Sequence, residues 1–382
     1  MKIVYLSEYY NTADSAGASA TIRVMYRAFK KKHDVVIVCN YLQGKEIGDY
    51  PVVVLEPDAI SNYIIENKID IIHYFKATGR RYFKKVCSYL QKNECKIPIV
   101  TTVCQKPSYK GLELTPVEIK NSNLIIFIDK AAYQDSHYQF IPQGRRNFVY
   151  FGYTVEKLKI IDEIRNQEPR NIYGKVVYGR GSSLNKCHNR MIEVFDGINI
   201  SNKEFIFVGG SILPPFLNSQ IIGRTDVTWF KSMAYTEWLK KCATFDVFLY
   251  VLPESSYSSI DGTLGDAMLL GIPPVVYGPD AIKERIEHGK SGYIAKTLEE
   301  AIDFSTKLGL DEQLRIRMGE EARKRVIDKF PLAKTVSKYD KIYEDIAGKK
   351  AEDIKLPISF YIFYFSRLVK IVPKYIKSKI YV

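Results

Sequence analysis

The sequence predicts an α/β chain made of two doubly wound layers, each a parallel sheet wrapped by helices. Three observations predict it. Apolar strand-like runs alternate with helix-like segments over the first 150 or so residues, and a fresh series of the same kind opens at KVVYGR. The length of 382 residues suits two domains of roughly 150 to 180 residues, each large enough to bury most of its apolar surface.

The first series begins with the buried strand KIVYL, a small-residue loop NTADSAGASA and an amphipathic helix from about Thr21 to Lys32. The strands DVVIVCN, VVVLEP, DIIHYF, PIVTTVC, NLIIFID and one near FVYFG follow, with helices at Ser61 to Asn67 and RRYFKKVCSYLQKN. Strands that alternate with helices require right-handed crossovers and hence a parallel, Rossmann-like layer. The segment Tyr153 to Arg170 is charged and weakly periodic, which marks a boundary. The second series runs through KVVYGR, FIFVGG, TDVTWF, DVFLYVL, PPVVYG and SGYIA, and closes with helices from Leu298 to Ala347. The expected domains are 1–155 and 171–347, with a cleft between the carboxyl ends of their strands, followed by a tail at 348–382.

Composition narrows the class. With 46% hydrophobic and 26% charged residues the chain is too apolar for disorder. Six cysteines lie without CxxC spacing, and the start MKIVYLSEYY runs into a strand with no leader-like apolar segment, which leads us to expect a reducing cytoplasm and no structural zinc. No apolar run reaches the roughly 18 to 20 residues of a spanning helix. The net charge is +13, and residues 354–382 supply six basic residues and no acid. That stretch also holds Phe360, Tyr361, Phe363, Tyr364, Phe365, Tyr375 and Tyr381, and basic residues mixed with aromatic ones suit an anionic membrane surface. No nucleic-acid module or evenly basic groove is visible.

The strings that carry chemistry lie in the second half. DVFLYVLPESSYSSIDGTLGDAMLLGIPPVVYG, AIKERIEHGKSGYIA and RMGEEARKRVIDKF resemble, in order and spacing, the GT4 glycosyltransferases of group 1, most strongly from about Val176 to Ile346. The resemblance implies a GT-B architecture, two Rossmann-like domains with a cleft between them, plus the C-terminal amphipathic basic and aromatic tail. Gly262, Thr263, Leu264 and Gly265 lead into a helix near Asp266, so backbone N–H groups and the positive helix end suit a nucleotide diphosphate; a plain N-cap is the other reading of such a string. The family has two acids eight positions apart framing this loop. The second aligns with Asp266 and the first with Ser258, while Glu254 and Asp261 are nearby acids out of register.

In YGRGSSLNK, Arg180 and Lys186 match the family's phosphate-neutralising cations, which would stabilise a departing diphosphate without a metal. A solvated basic turn is the alternative. Gly17 matches the family's loop beneath the phosphates, His73 a strand-end histidine, and Cys104 stands where many members have a sugar-contacting histidine. His73 also reads simply as a satisfied strand-end histidine. No H-E-x-x-H, DxD or clustered ligand motif is present, so no metal and no cofactor are expected.

The resemblance therefore implies a retaining, metal-independent hexosyltransferase. Its co-substrate would be a nucleotide diphosphate sugar, with a UDP-sugar favoured, and its acceptor a cell-surface polysaccharide or lipid-linked glycan. It would be cytoplasmic, peripheral on the inner face of the membrane through residues 354–382. Two rivals remain: a non-catalytic GT-B-like subunit, favoured by Ser258 and Cys104, and a nucleotide-sugar epimerase on the same twin layers.

Overall fold

The structure, a computed structural model, describes residues 1–12, 17–44, 50–76, 81–109, 111–167, 176–179, 186–209, 213, 215–231, 233–256, 258, 262–349 and 354–369. The chain divides into two compact units, Met1–Tyr150 with Thr335–Val382, and Phe151–Lys334.

The first unit contains β1 (Lys2–Asn11), α1 (Gly17–Phe29), β2 (Asp34–Gln43), β3 (Val52–Val54), α2 (Ala59–Glu66), β4 (Ile71–Lys76), α3 (Tyr82–Lys92), β5 (Ile99–Val103), α4 (Pro116–Asn121), β6 (Leu124–Phe127), α5 (Lys130–Tyr133) and β7 (Arg146–Phe148). The strands form a seven-stranded parallel sheet in the order β3-β2-β1-β4-β5-β6-β7. IIHYFK and IVTTV are buried along their whole lengths, as strands covered by helices on both faces must be. At α4, Thr115 and Glu118 form a reciprocal capping box and Pro116 occupies the first turn, where its missing N–H costs nothing.

The second unit opens with α6 (Val155–Gln167), then β8 (Val176–Gly179), α7 (Met191–Gly197), β9 (Glu204–Val208), α8 (Pro215–Ile221), β10 (Val227–Phe230), α9 (Tyr235–Ala243), β11 (Val247–Val251), α10 (Gly262–Leu269), β12 (Pro274–Tyr277), α11 (Asp280–Lys283), β13 (Tyr293–Ile294), α12 (Leu298–Leu310) and α13 (Glu312–Lys329). Its six strands run parallel in the order β10-β9-β8-β11-β12-β13. Leu264, Ala267 and Met268 of α10 pack with Phe248 and Tyr250 of β11 and with Ala322 and Val326 of α13. Gly319 of α13 has no room for a side chain, because a Cβ there would run into the Gly271 carbonyl. That close approach seats α13 on the turn after α10.

Three boundaries differ from the sequence expectation. The segment taken as a linker holds α6, which buries Ile161 and Ile164. The helix α14 (Leu332–Ile346) belongs to the first unit from Thr335 onward. Thr335 Oγ1 donates to the Tyr150 carbonyl at 2.7 Å, and Tyr339 and Tyr343 are buried in that unit. Finally, α15 (Ile358–Val369) is docked, not free: Phe360 is buried against Tyr138 and Phe140, and Phe363 stacks on His137 at 3.9 Å. Aromatic area of this size is costly to leave in water, and burying it on α5's neighbours satisfies part of the tail within the fold.

Candidate functional site

In a doubly wound sheet the strand order reverses direction at one point, and ligands bind outside the carboxyl ends of the two strands that flank it. In the second unit those strands are β8 and β11. The chain leaves β8 at Gly179, so Arg180 lies outside the described residues, as does Asp261 on the far side of the loop after β11. Lys186 stands half-buried just before the buried Cys187. Ser258 is buried, its N–H donating to Ser256 Oγ at 3.2 Å and its Oγ accepting from that hydroxyl at 3.1 Å. A serine hydroxyl used in this way braces the loop.

Gly262 to Asp266 form the first turn and a half of α10, so the helix begins four residues before Asp266, where the sequence placed its start. The Gly262 carbonyl accepts from the Tyr153 hydroxyl at 3.3 Å. Gly265 must lack a side chain, because a Cβ there would overlap the Tyr153 hydroxyl and stand 3.1 Å from Arg285 Nη1. The Asp266 carboxylate is buried, with Lys157 Nζ at 3.0 Å and the Tyr235 hydroxyl donating to it at 3.2 Å. Lys157 also lies 4.8 Å from the Tyr153 ring centre and 4.7 Å from that of Tyr235. Burial, reinforced by the Asp266 charge, pushes the Tyr235 phenol far above its ordinary value, so it remains a donor.

Arg285 is the residue that sequence reasoning missed. It is 3% exposed, lies 5.4 Å from the Tyr153 ring centre and 4.8 Å from that of Phe330, and its Nε and Nη1 have no hydrogen-bond partner. A buried guanidinium with unused donors beside a helix N-terminus is a place prepared for an anion. The string AIKERIEHG gave no sign of it, because arginine is a common surface residue and only folding brings residue 285 to residue 265. Lys157 carried a readable signal: Val155, Leu158, Ile161 and Ile164 recur at three-residue spacing in the stretch taken as a linker.

In the first unit, Gly17 opens α1, and the β1 end is tied to that helix by Asn11 N–H donating to Ser19 Oγ at 2.9 Å. His73 is wholly buried and both ring nitrogens are used: Nδ1 is 2.6 Å from the Tyr343 hydroxyl and Nε2 is 2.7 Å from Thr102 Oγ1. Thr102 Oγ1 also pairs with the Tyr339 hydroxyl at 2.9 Å, and the ring stacks on Phe75 at 4.0 Å. This histidine joins β4, β5 and α14 and offers no nitrogen to a ligand, as the reading of a satisfied strand-end histidine has it and not as the family match alone would suggest. Cys104 is half-buried after β5, its N–H bonded to the Lys76 carbonyl, and burial pushes its thiol up to about 12. A neutral thiol of this kind is a poor nucleophile.

No protein-family model matches the chain. Over 106 residues it is 33% identical to N-acetyl-alpha-D-glucosaminyl L-malate synthase of Bacillus anthracis, a match that spans 27% of this chain and 27% of that protein. Its fold superposes on that of Anabaena Alr3699/HepE, solved in complex with UDP, with a TM-score of 0.69 at 15% identity, covering 90% of this chain and 100% of that one. The chain has a GT-B fold. WaaG, a glycosyltransferase involved in lipopolysaccharide biosynthesis, is similar over 91% of this chain and 100% of its own, with a TM-score of 0.62 and 17% identity. The chain thus shares its architecture with proteins from which it differs at most positions. Its own residues must therefore carry the functional argument.

Proposed function

We propose that this protein is a GT4-like glycosyltransferase that takes a hexose from a nucleotide diphosphate sugar, a UDP-sugar before others, and passes it to a glycan or lipid-linked acceptor with retention of configuration. The observation that carries the donor half is the start of α10, where Gly265 lets the helix end approach Tyr153 and Arg285 holds unused donors. A helix N-terminus and a buried guanidinium both favour the charge that develops on a departing diphosphate. The UDP complex of the Anabaena protein, which has also been solved with UDP-glucose, supports the same choice of donor.

In this reading Arg180, Lys186 and Arg285 are the cations that neutralise the diphosphate, so the reaction needs no metal. The Gly262 to Gly265 turn cradles the nucleotide, and Asp266 accepts from donor hydroxyls once Lys157 or Tyr235 yields. Gly17, Cys104, Ser258 and Asp261 are proposed as further contacts to donor or acceptor.

The membrane half of the reading rests on α15. While Phe360 faces inward, Ile358, Ile362 and Phe365 are 78%, 65% and 52% exposed on the opposite side. They recur at helical spacing beside Arg367, an arrangement suited to the interface of an anionic bilayer. Among the described residues no helix is long and apolar enough to cross a membrane.

The test is a thermal-shift titration with UDP, GDP, CMP and their sugars, followed by mass spectrometry of the released sugar. UDP at 100 times its dissociation constant is expected to stabilise by about 2.7 kcal/mol. No shift with any nucleotide and no sugar release would remove the transferase reading.

A further inference from the structure

The chain enters the second unit at Phe151 and leaves it at Lys334. Just inside that unit the incoming and outgoing segments run side by side. Tyr153 and Pro331 form a parallel bridge, with the Tyr153 N–H donating to the Phe330 carbonyl at 3.1 Å and the Leu332 N–H to the Tyr153 carbonyl at 3.2 Å. Gly152 is what lets them approach: a Cβ there would stand 2.5 to 2.6 Å from backbone atoms of Phe330, Pro331 and Leu332.

The bridge fixes two rings. Tyr153 and Phe330 are both buried, and the Arg285 guanidinium lies over each of them, 5.4 Å from one ring centre and 4.8 Å from the other. The backbone of Arg285 is held as well, its carbonyl accepting from Arg325 Nε of α13 at 2.7 Å. A ring face attracts a cation without supplying a lone pair, so Nε and Nη1 remain without an acceptor. A long side chain that would otherwise give up rotamer freedom on meeting a ligand has given it up in advance.

The same tyrosine reaches the start of α10. Its hydroxyl donates to the Gly262 carbonyl at 3.3 Å and fills the notch that Gly265 leaves, with Arg285 Nη1 beside that notch. Burial raises the Tyr153 phenol well above its ordinary value, so the hydroxyl stays a donor. Gly262 itself is exposed, and among the described residues nothing stands within 4 Å of where a Cβ on it would point. One side chain thus ties the paired segments, the open helix start and the spare guanidinium to one another.

We propose that Tyr153 and Phe330 are positioning residues for the donor's diphosphate: the paired segments present them as a two-ring clamp that sets Arg285 against the first turn of α10. This rests on the glycosyl-transfer reading, which supplies the diphosphate. The clamp requires that Tyr153 act through Arg285 and not on the ligand directly, and a double-mutant cycle separates the two.

The experiment measures UDP affinity of the full chain by calorimetry for wild type, Y153F, Y153L, F330L, R285M and Y153L/R285M. R285M replaces a buried cation carrying unpaired donors with an apolar side chain, so it folds at least as well as wild type. The expected result is a UDP affinity at least about ten-fold lower in R285M, at least about five-fold lower in Y153L and F330L, and within about two-fold of wild type in Y153F, which keeps the ring. Y153L/R285M is expected to bind no more weakly than R285M alone. F330L leaves the Gly262 hydrogen bond in place and, with F330L/R285M, carries the test if Y153L does not fold. Losses that multiply in the double variant overturn the clamp, since Tyr153 would then act without Arg285, and so does a Y153L that binds UDP as wild type does. An R285M of wild-type affinity overturns the clamp while UDP binding keeps the donor reading. A wild type that binds no UDP fails the donor reading itself, and the clamp falls with it.

Discussion

The Nδ1 atom of His73 lies 2.6 Å from the hydroxyl of Tyr343, although 270 positions separate the two residues. Burial holds this imidazole neutral, its pKa lowered to about 3. The unfolded chain takes up a proton near the ordinary value of about 6.5 that the folded chain refuses. The stability His73 contributes is therefore complete above that value and is lost as pH falls from there towards 3. Urea unfolding should show a slope of about 1.4 kcal/mol per pH unit from this one proton. The slope should be absent in H73F; a variant as acid-sensitive as wild type would show that the proton is taken up elsewhere.

Tyr343→Phe tests the same relationship without touching charge. It leaves His73 Nδ1 buried with no partner and is expected to cost about 1 to 3 kcal/mol at pH 7. An unchanged unfolding midpoint would mean that the hydrogen bond carries no net stability.

Asp266 is held by Lys157 and Tyr235, so Lys157→Met should strand a buried carboxylate. Because Lys157 is partly exposed, we expect a loss of about 1 to 3 kcal/mol rather than the larger cost of breaking a fully buried pair. The double variant K157M/D266N should recover much of it. A double-mutant cycle with no coupling would dissolve the pair.

Gly265→Ala places a methyl group against the Tyr153 hydroxyl and Arg285 Nη1. Overpacking of this kind costs about 1 to 3 kcal/mol, and UDP affinity should fall with it as the start of α10 is displaced. Calorimetry with UDP reads both effects. A variant that binds UDP as wild type does would separate this turn from the donor.

Deleting residues 354–382 would remove Phe360 from the core of the first unit, so the membrane reading is better tested by I358S/I362S/F365S. Each of these side chains is worth about 1.5 to 3 kcal/mol when fully buried. The variant should fold normally yet lose flotation with anionic vesicles. Equal flotation of the two proteins would take α15 out of the membrane contact.

The order of strands, the two sheets and the small-residue stretch that starts α10 were legible in the sequence, whereas α6 was not. These features depend on local pattern: buried strands are continuous apolar runs, and Gly262 to Asp266 announce a helix start. The expected roles of Asp266 and His73 were legible only as types. Their partners, Lys157 and Tyr235 for one, Tyr343 and Thr102 for the other, come from helices and strands far along the chain.

By itself the sequence determined the fold class, the two sheets and the place of the glycine-rich turn at Gly262, because period and turn chemistry are properties of neighbours in the chain. Only the tertiary structure decided that α14 and α15 belong with the first sheet, that His73 is core and that Arg285 is spare. The physical reason is that burial and hydrogen-bond satisfaction are properties of the space around an atom, and that space is filled by residues the local pattern does not name.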